Sequence, residues 1–412
     1  MSDAIVAPRS RDASTTDAGG RGAGQRLRIV LYGQSLSGTG HFVRIYELAR
    51  ALAARHEVHL FDGGRAVPRP RPAHPFAIVA LPRIRRMGRD IVPLDPAVRL
   101  DAVMSERRRT IFTALEQIRP DVVVVEHFPF SKWALRDEIV SLVQRARAVR
   151  PSVRVLASLR DIPPGTGDDP HSVAYRDCVV RTIDAYFDGL LVHTDPALVS
   201  LEEHIPWVEQ ITKPLACTGY VSEKLAGRPA RGHGSVIVST GGAELPALVR
   251  CSVEAWQHLR AQGLTGDRRL VVFLPPFSRA GHVPESADPS VRFEPFTTDF
   301  LPLMAGADLS VSQAGYNTCT NILEVSTPAI VVPNGAMSDQ VPRARRLAAR
   351  GLASVIASTD LTAEGLASVM LETLASRPAT HNVDLHGADT TRALIEQWCT
   401  ERAAPALMVG GV

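Results

Sequence analysis

Short runs of apolar residues, four or five long, alternate along this chain with stretches whose apolar positions recur every three or four residues. The first run, Arg28 to Tyr32, reads as a buried strand. A loop of glycine and serine follows from Gly33 to Gly40, and His41 to Arg55 carries Phe42, Ile45, Leu48, Ala49 and Leu52 on one helical face. Further strands are predicted at Val58 to Phe61, Ala77 to Ala80, Val122 to Val125, Val153 to Ala157 and Leu190 to Val192. A Gly/Pro/Arg-rich segment over 227–234 reads as a linker, after which the cycle restarts. Strand Val236 to Val238, a turn from Ser239 to Ala243 and a helix from Pro246 to Gln262 open the second half. Strands at Leu270 to Leu274, Val291 to Pro295, Leu309 to Ser312 and Ile330 to Val332 follow. Alternation of this kind predicts an α/β protein whose parallel sheets are covered on both faces.

The chain's 412 residues exceed one typical core, which sets an expectation of two domains. The boundaries are a disordered leader over 1–26, a first Rossmann-like domain over 27–226, the linker, a second Rossmann-like domain over 235–386, and a C-terminal helix and tail over 387–412. That last helix is a candidate to pack back on the first domain. Apolar residues at 45% and charged residues at 22% are ordinary for a globular protein, and a net charge of +3 gives no footing for nucleic acid. Arginines cluster locally, at Arg83, Arg85, Arg86 and Arg89 and again at Arg107, Arg108 and Arg109. Two readings of that cluster stay open: a solvated surface, or peripheral contact with anionic lipid headgroups or a phosphorylated acceptor. The five scattered cysteines fit reduced thiols in a cytoplasmic protein, and no apolar run is long enough to span a bilayer. The leader lacks the apolar core of a signal peptide.

Open parallel sheets bind ligands beyond the carboxyl ends of their strands, where the polar loops of this chain fall. The first loop lacks the Lys-Ser/Thr pair of a P-loop. Val43 stands where a nicotinamide-binding loop wants its third glycine, although Asp62 occupies the place of a ribose-binding acid.

The segment from Ser310 through Gly315, Asn317, Thr318, Asn321 and Pro328 to Asp339 and Gln340 carries the most information. It combines strand, glycine turn, helix start, second strand and polar loop, which suits a diphosphate. This segment resembles the donor half of nucleotide-sugar glycosyltransferases of the GT-B fold, in particular the branch of the bacterial lipid-linked N-acetylglucosaminyltransferase of peptidoglycan synthesis. Gly38-Thr39-Gly40-His41 is similar to the first glycine loop of that branch. Glu126 to Phe130, Ser158 to Ile162 and Thr218 to Val221 look like signatures of a related group of predicted bacterial transferases. The resemblance implies two Rossmann-like domains facing a central cleft, with Gly38 and Gly40 on one side. On the other side it implies a diphosphate held by Thr240, Gly241, Gly242, Ala314, Gly315, Asn317 and Thr318, and a sugar held by Asp339 and Gln340. His41 becomes the candidate base for an acceptor hydroxyl. Its carboxylate partner is either Glu126 or Asp161, and each can equally be an ion-pair member with Arg136 or Arg160. No metal or other cofactor is implied.

One position departs from the family. The ribose-binding glutamate, seven residues before Pro328, is replaced by Asn321, with Glu324 one helical turn further on. The expected activity is inverting transfer of a hexose or N-acetylhexosamine from a nucleoside diphosphate sugar, UDP-linked, to a hydroxyl of unknown acceptor. A non-catalytic nucleotide-sugar-binding subunit and a nucleotide-sugar epimerase or hydrolase are the alternatives.

Overall fold

A computed structural model of the chain describes residues 26–36, 38–88, 90–163, 169, 171–227, 234–241, 245–277 and 286–400. The leader but for Arg26, most of the linker, Arg89 and Gly242 lie outside the described residues.

The first half contains β1 (Arg28–Gly33), α1 (Gly40–Ala53), β2 (Glu57–Asp62), β3 (Ala77–Ala80), β4 (Ile84–Met87) and β5 (Asp90–Pro93). It continues with α2 (Leu100–Ile118), β6 (Val122–Glu126), α3 (Arg136–Val149), β7 (Arg154–Arg160), α4 (Val173–Tyr186), β8 (Gly189–His193) and β9 (Leu215–Cys217). Among the described residues the main sheet has the order β3-β2-β1-β6-β7-β8-β9, parallel throughout. Alternate residues of each strand serve opposite cores. Val30, Tyr32, Val123 and Val125 join the layer under α2, α3 and α4, while Ile29, Leu31, Val122 and Val124 pack towards α1. Burial on both faces explains why these strands read as unbroken apolar runs.

The second half contains β10 (Ser235–Ser239), α5 (Pro246–Ala261), β11 (Arg269–Phe273), β12 (Val291–Glu294), α6 (Phe300–Gly306), β13 (Leu309–Ser312) and α7 (Tyr316–Val325). Then come β14 (Ala329–Val331), α8 (Gln340–Ala349), β15 (Ser354–Val355), α9 (Ala363–Ala375) and α10 (Gly387–Thr400). Its sheet, β12-β11-β10-β13-β14-β15, is again parallel. α10 leaves this domain and lies on the first, where Ile395 and Trp398 enter the core around α1. Gly189 makes room for it, since a Cβ there would come within 2.8 Å of the Trp398 ring.

Each sheet reverses its strand order once, between β1 and β6 and between β10 and β13. Loops leaving the carboxyl ends of strands on either side of such a reversal diverge and open a crevice. Two crevices facing each other make the cleft.

Two expectations are corrected. β4 and β5 pair as an antiparallel hairpin within the arginine-rich region, hidden from the sequence because charged side chains interrupt any apolar alternation. Arg107 leaves that surface altogether: it is fully buried, with Nε and Nη2 bonded to Glu138 at 2.7 Å and Nη2 also to Gln34 at 2.8 Å.

Candidate active site

The cleft is open to solvent and is lined from both domains. Gly38, Gly40 and His41 face Thr240, Gly241, Gly315, Asn317, Thr318, Asn321, Asp339 and Gln340 across it. Ala314 is buried just behind, its carbonyl accepting from Arg343 Nη1 at 2.8 Å.

Strand order decides which carboxylate meets His41. β6 is the neighbour of β1, and its last residue, Glu126, lies under the first turn of α1. His41 Nδ1 and Glu126 Oε1 are 2.8 Å apart. Glu126 is fully buried and also accepts from Arg44 Nη2 at 2.6 Å and from Lys132 Nζ. Burial alone would raise its pKa, but the Lys132 and Arg44 charges and the hydrogen bond from His41 overcome this and hold it well below the usual carboxylate range. An ionised Glu126 fixes the tautomer with the proton on Nδ1, leaving Nε2 for the cleft. Burial and the Arg160 charge push the imidazole down to about 3, against the pull of Glu126. The ring is therefore neutral at physiological pH, with about a quarter of its side chain exposed.

Asp161 takes a different part. It ends in a two-point ion pair with Arg343 of α8, Nε and Nη2 each 2.7 Å from its oxygens. Arg343 also bonds Asp339 at 2.9 Å. The partners expected from sequence are thus replaced: Glu126 pairs with Arg44 and Lys132, Asp161 with Arg343, while Arg136 sits near Asp137 at 3.5 Å.

On the second-domain side, α7 begins at Tyr316 with no side-chain cap on its first turn, so its leading amides remain available to an anion. Gly241 holds a left-handed φ of +68°, which lets the turn after β10 approach Thr318. The Asn317 side chain donates to Gly40 O at 3.0 Å and ties the two glycine loops together. Asp339 occupies the N-cap of α8 but makes no side-chain capping bond, and Arg343 holds it ionised against burial. Gln340 accepts from Asn334 N at 2.9 Å and donates to Gln313 at 3.3 Å, so much of its amide is committed to the loop. Glu324 does not stand in for the missing acid, because Ser222 and Lys224 bond its carboxylate at 3.1 and 2.9 Å, away from the cleft lining.

Several residues escaped the sequence reading. Arg44 lines the cleft beside Arg160, which was expected only as an ion-pair partner, and Lys132 braces Glu126. Only the helical spacing of Arg44 from His41 could have pointed to one of them. His127 is buried with Nε2 unpartnered, and its φ of +63° is unusual for a non-glycine residue. His41, Glu126 and His127 place ligand atoms within 4.8 Å of one another. Arg44 and Lys132 already occupy both Glu126 oxygens, so this donor set does not favour a dication.

Two parallel sheets with opposed switch-point loops, and their match to known structures, decide the architecture. The chain has the GT-B fold. The calicheamicin glycosyltransferase CalG4 superposes with a TM-score of 0.53 at 16% identity, over 91% of this chain and 94% of CalG4. The glycosyltransferase SnogD from Streptomyces nogalater gives 0.51 at 16% identity, over 91% of this chain and all of SnogD. The glycosyltransferase family 28 C-terminal domain matches residues 276–393, within the second half of this GT-B chain. Sequence relatives include the UDP-N-acetylglucosamine--N-acetylmuramyl-(pentapeptide) pyrophosphoryl-undecaprenol N-acetylglucosamine transferases of Sinorhizobium medicae and Syntrophotalea carbinolica. The first is 34% identical over 94 residues, 22% of this chain and 25% of the relative. The second is 34% identical over 139 residues, 33% of this chain and 37% of the relative. The match thus spans between a quarter and just over a third of these relatives' length.

Proposed function

We propose that this protein is an inverting glycosyltransferase that moves a hexose or N-acetylhexosamine from a nucleoside diphosphate sugar, UDP-linked, to an acceptor hydroxyl. The observation that carries the reading is a neutral His41, held by the ionised Glu126, facing the uncapped start of α7 across one cleft. The first domain, 27–226, receives the acceptor, and the second, 235–386, holds the donor.

His41 Nε2 takes the proton from the acceptor hydroxyl, and Glu126 stabilises the imidazolium that forms. The freed oxygen pair attacks the anomeric carbon from the face opposite the diphosphate. The bond from that carbon to the phosphate oxygen breaks, and its electron pair leaves on the diphosphate. Amides of the α7 start and of the Thr240–Gly241 turn stabilise the charge. Asp339 accepts from ring hydroxyls of the sugar, and Asn321 faces the ribose without the charge assistance a carboxylate would give. Donor binding followed by thermal shift across a panel of nucleotide sugars, with nucleoside diphosphate release measured in cell extract, tests the assignment. Absence of both binding and release for every donor would overturn it.

Asn321 favours one second reading, a nucleotide-sugar-binding subunit without turnover, and release of diphosphate separates the two. No helix among the described residues is long and apolar enough to cross a membrane. The hairpin β4–β5 presents Arg85, Arg86 and the 57% exposed Met87, a mixed surface suited to peripheral contact with anionic headgroups at the cytoplasmic face. Co-sedimentation with phosphatidylglycerol vesicles that is lost in Arg85→Glu/Arg86→Glu is the expected result.

A further inference from the structure

The first-domain wall of the cleft carries more positive charge than its own carboxylates answer. Glu126 is shared by Arg44 and Lys132, and Arg160 stands beside them with no hydrogen bond or ion pair among the described residues. Arg160 Nε is buried without a partner. Arg44 is entirely buried, lines the cleft, and leaves both Nε and Nη1 unpartnered. Arg160 lines the cleft and is only half-buried, so a ligand in the cleft can bring its guanidinium an acceptor that the protein does not supply.

Position says which ligand. The Arg160 and Arg44 guanidinium carbons lie 6.0 and 5.9 Å from the centroid of the Tyr316 ring. Tyr316 is the first residue of α7, the helix whose start faces the donor phosphates in the proposed function. The ring is anchored by its hydroxyl, which accepts from Val221 N at 3.0 Å and donates to His193 O at 3.1 Å. Gly40 lies between the two walls here: a Cβ on it would be in ordinary contact with Arg160 Nη2 at 3.4 Å and with Asn317 Nδ2 at 3.6 Å.

We propose that Arg160, supported by Arg44, is the first domain's contact with the leaving diphosphate, which is thereby clamped between an arginine of one domain and the α7 start of the other. The inference rests on the nucleoside diphosphate sugar reading. As the bond to the anomeric carbon breaks, the electron pair passes to the phosphate oxygen, and the guanidinium meets that added charge without transferring a proton. The shared chemistry is a phosphate oxyanion, which could arrive on the donor or on a phosphorylated acceptor; proximity to α7 assigns it to the donor.

Calorimetric titration of the full chain with UDP, dTDP and the corresponding nucleosides tests this. Arg160→Gln should weaken diphosphate binding by about ten- to a hundredfold while nucleoside binding changes less than about twofold. Arg160→Lys, which keeps the charge in a smaller side chain, should recover part of the loss. Equal losses for diphosphate and nucleoside would reduce Arg160 to a shape-keeping role and overturn the inference. Diphosphate affinity within about twofold of wild type in both variants would also overturn it, and a raised acceptor KM in that case would assign the cation to the acceptor. Failure of the wild-type chain to bind any of these diphosphates would instead remove the functional reading beneath it.

Discussion

His41, the proposed base, is kept unprotonated by its surroundings, not by its intrinsic pKa. Burial and Arg160 push the imidazole down to about 3, so protonation does not compete with acceptor binding across the physiological range. The rate profile should show no acid limb near pH 6.5; a kcat/KM profile that breaks between pH 6 and 7 would contradict this. The same shift acts on stability. Between pH 6.5 and about 3 the unfolded histidine takes up a proton that the native one refuses, so His41 makes stability rise with pH in that window. His41→Gln should flatten that part of the slope in denaturant titrations at successive pH values. Sequence could place His41 at the mouth of its loop, yet Arg160 lies 119 positions further along the chain (160 less 41), and the fold alone brings them together.

At the scale of elements, the strands and their glycine turns were legible because burial on both faces writes an apolar run directly into the sequence. The choice between Glu126 and Asp161 was not. Both end strands that point into the cleft, and only the neighbour order β1-β6-β7 puts Glu126 under α1. The β4–β5 hairpin stayed hidden for the opposite reason, its outward positions being arginines. α7 supports a prediction of its own. Asn321 lines the cleft at the position where the sequence resemblance leads one to expect an acid. Asn321→Glu should tighten nucleoside binding by about two- to tenfold through a charge-assisted bond to the ribose diol. Unchanged affinity would mean that the ribose does not meet this face of α7.

Over the whole molecule, the cleft is held by a few contacts between distant parts of the chain. Arg343 reads Ala314 O in the turn after β13, Asp339 at the start of α8 and Asp161 in the other domain, 182 positions away. Removing one side of a buried, two-point ion pair leaves a charge uncompensated, so Asp161→Asn should cost about 3–5 kcal/mol. Denaturant unfolding measures this, and a cost under about 1 kcal/mol would show that the two domains do not depend on the pair. α10 is the second fastening. Trp398 completes the core against α1, and Trp398→Ala should cost about 3–5 kcal/mol, read in the same way. Periodicity revealed that α10 is a helix, but not which surface covers Ile395 and Trp398, because an amphipathic stripe does not name its partner.

The central claim is that the His41–Glu126 pair activates an acceptor while the facing turn holds a nucleoside diphosphate sugar. Comparing His41→Ala with the wild-type chain for both donor affinity and nucleoside diphosphate release tests it most directly. The account predicts donor affinity within about twofold and release slowed by about 10²–10⁴-fold. Release at the wild-type rate from His41→Ala would contradict it.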